Sequence, residues 1–256
     1  MKQSIEKMTA RISRILDGKV RSAWLYGSVA LEDFRPGWSD IDLLVLTEGR
    51  ITPDQAGALL TLRQAMTEEE PENRYYRAVE GIIADEAEYR TASFTRLVYW
   101  GTSGQRITDR YAQDAFSAFE LAKYGRCVCG DGDRSIFAAP TAEEMEEAVR
   151  RHYDTVRRCA VRTNESLYSC GWLLDIARCI YTLRHGGVIS KTGAGVWALK
   201  EHIFEEEEPL RKALTVRREP MAYKDRDDVK QWLKGLGPTV QRYADALEKE
   251  LRKHAS

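Results

Sequence analysis

The stretch Trp24–Leu46, WLYGSVALEDFRPGWSDIDLLVL, contains the residues around which the fold is predicted to form. Both of its ends have the apolar character of β-strands, whereas Gly27-Ser28 and Arg35-Pro36-Gly37 between them are typical of turns. The second strand carries Asp40 and Asp42 in its first half. Because side chains alternate along a strand, two carboxylates at this spacing point the same way and repel each other unless they share a cation.

The chemistry of these residues indicates a metal-nucleotide site. Magnesium takes oxygen ligands, commonly one or two carboxylates completed by water and phosphate oxygens, so Asp40 and Asp42 are its predicted ligands. Gly27 permits a turn without a Cβ, and Ser28 offers a hydroxyl and an amide at an expected helix start, where phosphate binds well. Each pair alone is more simply a capped turn or two solvated carboxylates. Nucleotide and metal binding are favoured by the order of these features: a strand, then Gly-Ser, then a strand with Asp-x-Asp.

A third carboxylate, Glu80, falls inside the segment YYRAVEGIIA, residues 75–84, which is predicted to be a strand. An ionised carboxylate in an apolar segment is costly unless it meets a cation or a hydrogen-bond donor. Pairing of Glu80 with Arg77 or Arg90 is one explanation. Beside the two aspartates, on a neighbouring strand of the same sheet, Glu80 is instead predicted to be the general base that takes a proton from an attacking hydroxyl.

Composition limits the other classes of function. The chain has 256 residues, and its 40 acidic residues nearly balance its 39 basic ones, giving a formal net charge of -1. A polynucleotide binder usually shows a basic excess, so no nucleic-acid partner is expected. No run approaches the ~18 apolar residues of a membrane span, and the first residues lack the apolar core of a signal peptide. We expect a cytoplasmic protein, monomeric and without a membrane partner.

Hydrophobic periodicity divides the chain and predicts an α+β fold. Residues 1–139 alternate in the manner of a small mixed sheet with flanking helices, and residues 140–256 have the spacing of an all-helical bundle. The capping box Thr141-Ala142-Glu143-Glu144 begins the first helix of the bundle. Residues 99–104, in the first part, are interpreted either as a loop wall for a ring-shaped substrate or as a packed aromatic beside a flexible turn.

Two basic residues of the helical part are candidate nucleotide contacts. Arg178 lies on an otherwise apolar helix, and Lys191 begins the helix that follows a Gly-Gly turn. Arginine binds phosphate through its forked guanidinium, and lysine binds it as a point charge. Ordinary ion pairs with Asp175 or Glu201 are the alternative interpretation of the same spacing.

Taken over its whole length, the chain resembles the aminoglycoside adenylyltransferases that modify spectinomycin and streptomycin, within the nucleotidyltransferase superfamily. The matching segments are Leu25–Val45, Arg77–Glu80 and two short pieces between Asp175 and Lys191. The resemblance implies an N-terminal nucleotidyltransferase domain before the all-helical domain. It also implies magnesium ligands at Asp40 and Asp42, a catalytic base at Glu80, and ATP contacts at Ser28, Arg178 and Lys191.

The reaction implied by this family is transfer of AMP from ATP to a hydroxyl of a cationic antibiotic, with release of pyrophosphate. The tryptophan and acidic pair with which streptomycin-accepting members hold the drug have no match here, where Asn164, Glu165 and Tyr168 stand instead. The departure favours a spectinomycin-only enzyme or one acting on another drug. Transfer to a lincosamide or to a protein hydroxyl, and a nucleotide-binding regulator without turnover, are the alternative hypotheses.

Overall fold

The structure is a computed structural model that describes residues 1–101 and 104–254. The chain is divided between two units, one containing Met1–Ala30 and Asp40–Ala139 and the other containing Leu31–Ser39 and the chain from Pro140 onward. The domain boundary between residues 139 and 140 stays a prediction. No pattern in the sequence indicates that Leu31–Ser39 packs with the second unit.

The strands of the first unit are β1 (Val20–Tyr26), β2 (Ile41–Thr47), β3 (Val79–Asp85), β4 (Leu97–Gly101), β5 (Gly104–Thr108) and β6 (Arg126–Gly130). Within the described residues these six strands form one sheet in the order β5-β4-β3-β2-β1-β6. β2 and β3 are parallel, and the other neighbouring pairs are antiparallel. The predicted mixed sheet, and with it the α+β fold class, is confirmed.

The helices of the first unit are α1 (Lys2–Ile15), α2 (Gly27–Ala30), α3 (Pro53–Glu69), α4 (Arg74–Ala78), α5 (Glu86–Thr91) and α6 (Ala115–Tyr124). α3 and α4 form the crossover that a parallel β2–β3 pair requires. Thr52 caps α3 through a capping box with Gln55, and Pro53 occupies the first helical position, where its missing N–H has no cost.

The strand predicted over residues 75–84 begins later than expected. Residues up to Ala78 belong to α4, because the side chain of Asn73 accepts the backbone N–H of Tyr75 and so starts a helical turn. This turn buries Tyr76, which is 1% exposed. Glu80 remains in the strand, so the change in boundary leaves its predicted position intact.

The aromatic pair Tyr99 and Trp100 lies in β4 and not in a loop. Trp100 is 2% exposed, and its indole N–H donates to the backbone oxygen of Leu59 at 3.1 Å. Of the interpretations offered for residues 99–104, the packed aromatic describes Trp100. Residues 102 and 103 lie outside the described residues.

One face of the sheet carries a cluster of buried side chains together with two of the predicted acidic residues, Asp42 and Glu80. The cluster includes Trp24, Leu44, Leu46, Ile82, Ala84, Leu97 and Phe137. Because side chains alternate, Asp42 shares a face with Leu44 and Leu46, and Glu80 shares it with Ile82 and Ala84. The carboxylates therefore stand at the end of an apolar face, where β2 and β3 begin.

The second unit is helical, as predicted. Its helices are α7 (Ala142–Cys159), α8 (Tyr168–His185), α9 (Lys191–Lys200), α10 (Glu208–Arg218), α11 (Pro220–Tyr223), α12 (Asp227–Lys234) and α13 (Gly237–His254). α8 is the most buried of them and ends at Gly186, whose φ of +62° is the left-handed geometry of a helix C-cap. Among the described helices of the whole chain, none combines the length and the apolar character needed to cross a membrane.

Candidate active site

Asp42 lies between two polar side chains on the same face of the sheet. The antiparallel register pairs it with Tyr26 of β1, and the parallel register pairs it with Glu80 of β3. Paired residues direct their side chains to the same side of a sheet, so the carboxylates of Asp42 and Glu80 are neighbours. The structure thus brings one predicted metal ligand beside the predicted base.

Burial keeps the phenol of Tyr26 protonated beside these carboxylates. Its side chain is almost fully buried. Burial raises the pKa of Tyr26 well above its usual value, and the fields of Tyr111 and Asp42 act in the same direction. A neutral phenol can donate a hydrogen bond to an acceptor beside Asp42, but it does not take up a proton. Glu80 is therefore the stronger candidate for a base at this edge.

Gly27 makes room for the carboxylate of Asp42. Its φ of +59° lies in the left-handed region that glycine adopts readily. A Cβ at this position would lie 2.7 Å from Asp42 Cγ and nearer still to Asp42 Oδ2. The next residue, Ser28, donates its hydroxyl to the backbone oxygen of Asp40 at 3.2 Å. The Gly-Ser turn and the Asp-x-Asp strand are therefore packed directly against each other.

Arg63 of α3, which is not among the residues predicted from the sequence, lies near the carboxylates. Burial lowers the pKa of Arg63, and the negative charges of Glu80 and Asp40 oppose that shift. Its guanidinium stays charged, as arginine does in proteins. It donates three hydrogen bonds, to the side chain of Gln105 at 3.0 Å and to the backbone oxygens of Val79 at 2.7 Å and Gly101 at 3.2 Å.

The position of Arg63 in α3 is the sequence signal for its role. It falls four residues after Leu59 and three before Met66, both buried, so it lies on the buried side of α3. The arginines that the sequence offers as partners of Glu80 bond elsewhere. Arg77 donates to the backbone oxygen of Pro71, and Arg90 pairs with Glu86.

The acidic residues fit a cation that relies on few protein ligands. Within residues 1–101 and 104–254, no group of three or more His, Cys, Asp or Glu side chains is arranged to hold a metal ion. Asp40, Asp42 and Glu80 therefore do not form a complete cage of carboxylates. Magnesium characteristically takes one or two carboxylates and completes its shell with water and nucleotide phosphate, which suits the Asp-x-Asp pair.

Arg178 and Lys191 lie in the second unit, where both pair with Asp175. Arg178 Nη2 is 3.1 Å from Asp175 Oδ1, and Lys191 Nζ is 2.9 Å from Asp175 Oδ2. Burial opposes ionisation of Asp175, but the fields of Lys191 and Arg178 outweigh it and hold the pKa of this carboxyl below its usual range. The structure thus contains an ion pair of the kind offered as the alternative for these residues. The role of Arg178 and Lys191 in nucleotide binding stays a prediction.

A cavity of about 260 Å³ in the second unit lies at the segment where the sequence departs from the streptomycin-binding pattern. Its lining includes Trp38, Glu165, Tyr168 and Asp225. Tyr168 is 54% exposed and so presents a large ring surface to solvent. Lys224 also lines the cavity and pairs with Asp225 at 3.5 Å, so the lining contains charges of both signs.

Family models match the chain in two places. A nucleotidyltransferase domain matches residues 5–88, and an aminoglycoside adenylyltransferase C-terminal domain matches residues 136–246, so the two together cover more than half of the chain. The first match contains Gly27, Ser28, Asp40, Asp42 and Glu80, and the second contains Arg178 and Lys191. A comparison with curated proteins gave no match.

Among solved structures, the chain is similar to the spectinomycin adenyltransferase AAD(9) from Enterococcus faecialis, determined with ATP and spectinomycin. The two share 15% sequence identity with a TM-score of 0.61, and the alignment covers 94% of this chain and 97% of that chain. At this level of identity the likeness concerns the fold. With a nucleotidyltransferase domain followed by the helical domain of the antibiotic-modifying enzymes, the chain belongs to the aminoglycoside adenylyltransferase family of the nucleotidyltransferase superfamily and is an adenylyltransferase.

Proposed function

We propose that the protein transfers AMP from ATP to a hydroxyl of an aminoglycoside-type antibiotic, with spectinomycin as the first candidate, and that pyrophosphate is released. The observation that carries this proposal is the strand register that sets Asp42 opposite Glu80, with Gly27 packed against Asp42. Membership of the adenylyltransferase family supports the class of reaction.

Asp40 and Asp42 are the proposed ligands of Mg²⁺. When bound, the ion neutralises and orients the triphosphate of ATP. The chain itself fixes the ligands in two ways. The hydroxyl of Ser28 donates a hydrogen bond to the backbone oxygen of Asp40. Because Gly27 has no side chain, there is room beside it for the Asp42 carboxylate.

Glu80 is the proposed base. It accepts the proton of the antibiotic hydroxyl, whose oxygen then attacks the α-phosphorus of ATP in line. The bond between the α-phosphorus and the bridging oxygen breaks, and the electron pair leaves with pyrophosphate. Arg63 fixes the backbone at Val79, the residue directly before the base. Much of the acceleration is expected from positioning of this kind.

Ser28, Arg178 and Lys191 are the proposed contacts of the triphosphate. The pairs with Asp175 support this role, because a shared buried carboxylate orients both cations before ATP arrives. Arg178 and Lys191 have side chains that are 18% and 28% exposed, so neither is sealed in the interior. A phosphate can therefore approach them while Asp175 holds them in place.

Spectinomycin is the preferred substrate candidate for two reasons. The segment around Asn164 lacks the tryptophan and acidic pair that the family uses for streptomycin, and the fold is similar to that of a spectinomycin adenyltransferase. The exposed ring of Tyr168, in the lining of the cavity, offers a cationic ring system an aromatic surface.

Mass spectrometry of the small molecules tests this function directly. The protein is incubated with ATP, Mg²⁺ and each of spectinomycin, streptomycin and a lincosamide in turn. The masses of the small molecules and of the protein are then measured. The expected result is spectinomycin that has gained one adenylyl group. Asp42→Asn should abolish the gain, whereas Asp54→Asn, on the exposed start of α3, should not.

The other outcomes separate the rival hypotheses. An adenylylated lincosamide, or an adenylyl group on the protein, would keep the chemistry and replace the substrate. Binding of ATP with no adenylylated product under any condition would contradict the proposed enzyme activity and favour a regulator.

A further inference from the structure

Asp33 is a buried carboxylate with no role in the chemistry described so far. It lies in Leu31–Ser39, the segment that packs in the second unit and that connects Gly27-Ser28 to Asp40 along the chain. Only 3% of its surface is exposed. Burying a charged carboxylate is costly unless cations and donors surround it, so its partners identify what it holds in place.

The partners of Asp33 are two arginines and the start of α9. Arg217, itself 3% exposed, donates to Asp33 Oδ2 through Nη2 at 2.8 Å and through Nε at 3.2 Å. Arg35 donates to Asp33 Oδ1 at 3.1 Å. Thr192 donates both its backbone N–H, at 3.1 Å, and its hydroxyl, at 2.6 Å.

Charge complementarity keeps this carboxylate ionised. Burial alone would raise the pKa of Asp33, but Arg217 and the hydrogen bonds from Thr192 outweigh it and lower that pKa. A permanent negative charge at the start of α9 is favourable, because the first N–H groups of a helix lack partners within the helix and carry partial positive charge. Asp33 thus caps α9 from a distant part of the sequence, in addition to its own cap, Ser190.

The residue held in this way is the neighbour of a proposed triphosphate contact. Lys191 and Thr192 are the first two residues of α9, so the bonds of Asp33 to Thr192 fix the backbone from which the Lys191 side chain extends. The ammonium group of Lys191 is in turn held by Asp175 of α8. Both ends of Lys191 are therefore anchored, its backbone through Asp33 and its charge through Asp175.

We infer that Asp33 is a positioning residue of the adenylyl transfer, which fixes the first turn of α9 so that Lys191 presents its charge to the triphosphate. The inference rests on the proposed function, since it assumes that Lys191 binds ATP. Because Asp33 touches neither ATP nor the antibiotic in this account, it acts through Thr192.

Titration calorimetry with ATP and Mg²⁺, in the absence of antibiotic, tests the inference at a temperature well below unfolding. Thr192→Val removes the hydroxyl at nearly constant volume, and Thr192→Ser retains it. We expect Thr192→Val and Asp33→Asn to raise the Kd for ATP at least fivefold, and Thr192→Ser to stay within twofold of the wild type. Lys191→Met serves as the reference for complete loss of the contact.

A second carboxylate pair in the same unit controls for general loss of stability. Glu250 pairs with Arg184 through two hydrogen bonds of 2.9 Å and with Lys253 at 3.0 Å, and none of these bonds involves the first turn of α9. Glu250→Gln should lower the melting temperature without changing the Kd for ATP. If Asp33→Asn does not fold, the Thr192 pair of variants decides the question alone.

The outcomes that overturn the inference are distinct from failure of the proposed function. A Kd for Thr192→Val within twofold of the wild type, with Lys191→Met clearly weakened, would refute the role of Asp33 and leave the enzyme assignment standing. Unchanged binding by Lys191→Met would refute the assumed contact and the inference with it. A wild-type protein that does not bind ATP with Mg²⁺ would refute both the proposed function and this inference.

Discussion

Asp42 and Glu80 occupy paired positions on two parallel strands, near the N-terminal ends of both strands. Because β1 runs antiparallel to β2, it ends beside the start of β2 and delivers Gly27 against Asp42. Asp42 and Glu80, 38 positions apart in the sequence, are therefore neighbours in the sheet. Because paired strands are rigid, one added atom at Gly27 is expected to displace the Asp42 side chain.

Replacement of Gly27 by alanine should remove activity through Asp42. The new methyl group would overlap the Asp42 carboxylate, which must then move. We expect kcat/KM for adenylyl transfer to fall by about 100-fold or more, in line with the cost of displacing a group by ~1 Å. Gly18→Ala is the matched control, since Gly18 also has a positive φ but nothing lies within 4 Å of an added Cβ. Equal activity of the two variants would contradict this account.

Glu80→Gln should separate binding from chemistry. The amide keeps the shape of the side chain but cannot accept the proton of the attacking hydroxyl. We expect transfer to fall by roughly 10²–10⁴-fold, the usual contribution of a general base, while the Kd for ATP with Mg²⁺ changes little. Glu86→Gln, six residues along the chain, should transfer at the wild-type rate. Near-native turnover by Glu80→Gln would show that another group is the base.

Arg63→Met should destabilise the first unit. The change removes three hydrogen bonds, to the backbone oxygens of Val79 and Gly101 and to the side chain of Gln105, and each hydrogen bond contributes about 0.5–1.5 kcal/mol, or more when the donor is charged. We expect the free energy of unfolding in urea to fall by about 3 kcal/mol. Arg11→Met, which removes an exposed pair with Glu69, should cost less than ~1 kcal/mol. A similar cost for both would refute the role given to Arg63.

Glu250 should make stability depend on pH in the acid range. Hydrogen bonding from Arg184 lowers the pKa of Glu250 to about 2 from its usual value of 4.5. A carboxyl with a lowered pKa in the folded state stabilises fully above its unfolded pKa, and this contribution is lost as pH falls from 4.5 towards 2. Melting temperatures measured at pH 5 and pH 3 should fall less for Glu250→Gln than for the wild type. Glu147→Gln, on an exposed helix face, should retain the wild-type difference.

Much of the sheet could be predicted because local pattern and tertiary structure agree there. Strands β1 and β2 follow each other on either side of the Gly-Ser turn, as expected, although β2 begins at Ile41 and so contains Asp42 but not Asp40. The pairing of Asp42 with Glu80 could not be predicted, because the register of parallel strands is set by the crossover helices between them. Residues 74–78 have strand-like composition, but the cap at Asn73 starts a helix there.

The residues that could not be predicted from the sequence are those whose roles depend on distant partners. Asp33 looks like a loop carboxylate beside a Pro-Gly turn, and its partner Arg217 is 184 positions away in the sequence. In the sequence, Arg63 resembles an ordinary exposed charge of a helix, because its backbone acceptors belong to other elements. The sequence indicates Asp175 as a candidate ion-pair partner. Its pairing with both Arg178 and Lys191 depends on how α8 and α9 pack.

Because Leu31–Ser39 belongs to the second unit, chimaeras of this enzyme and its relatives cannot be made with a single junction. A chimaera joined once near residue 139 would graft foreign helices onto a host that still carries Asp33 and Trp38, whose native neighbours are Arg217 and Gly171. Three crossovers are required, two flanking the nine-residue insert and one before the helical half, so the insert and the helices must be exchanged together.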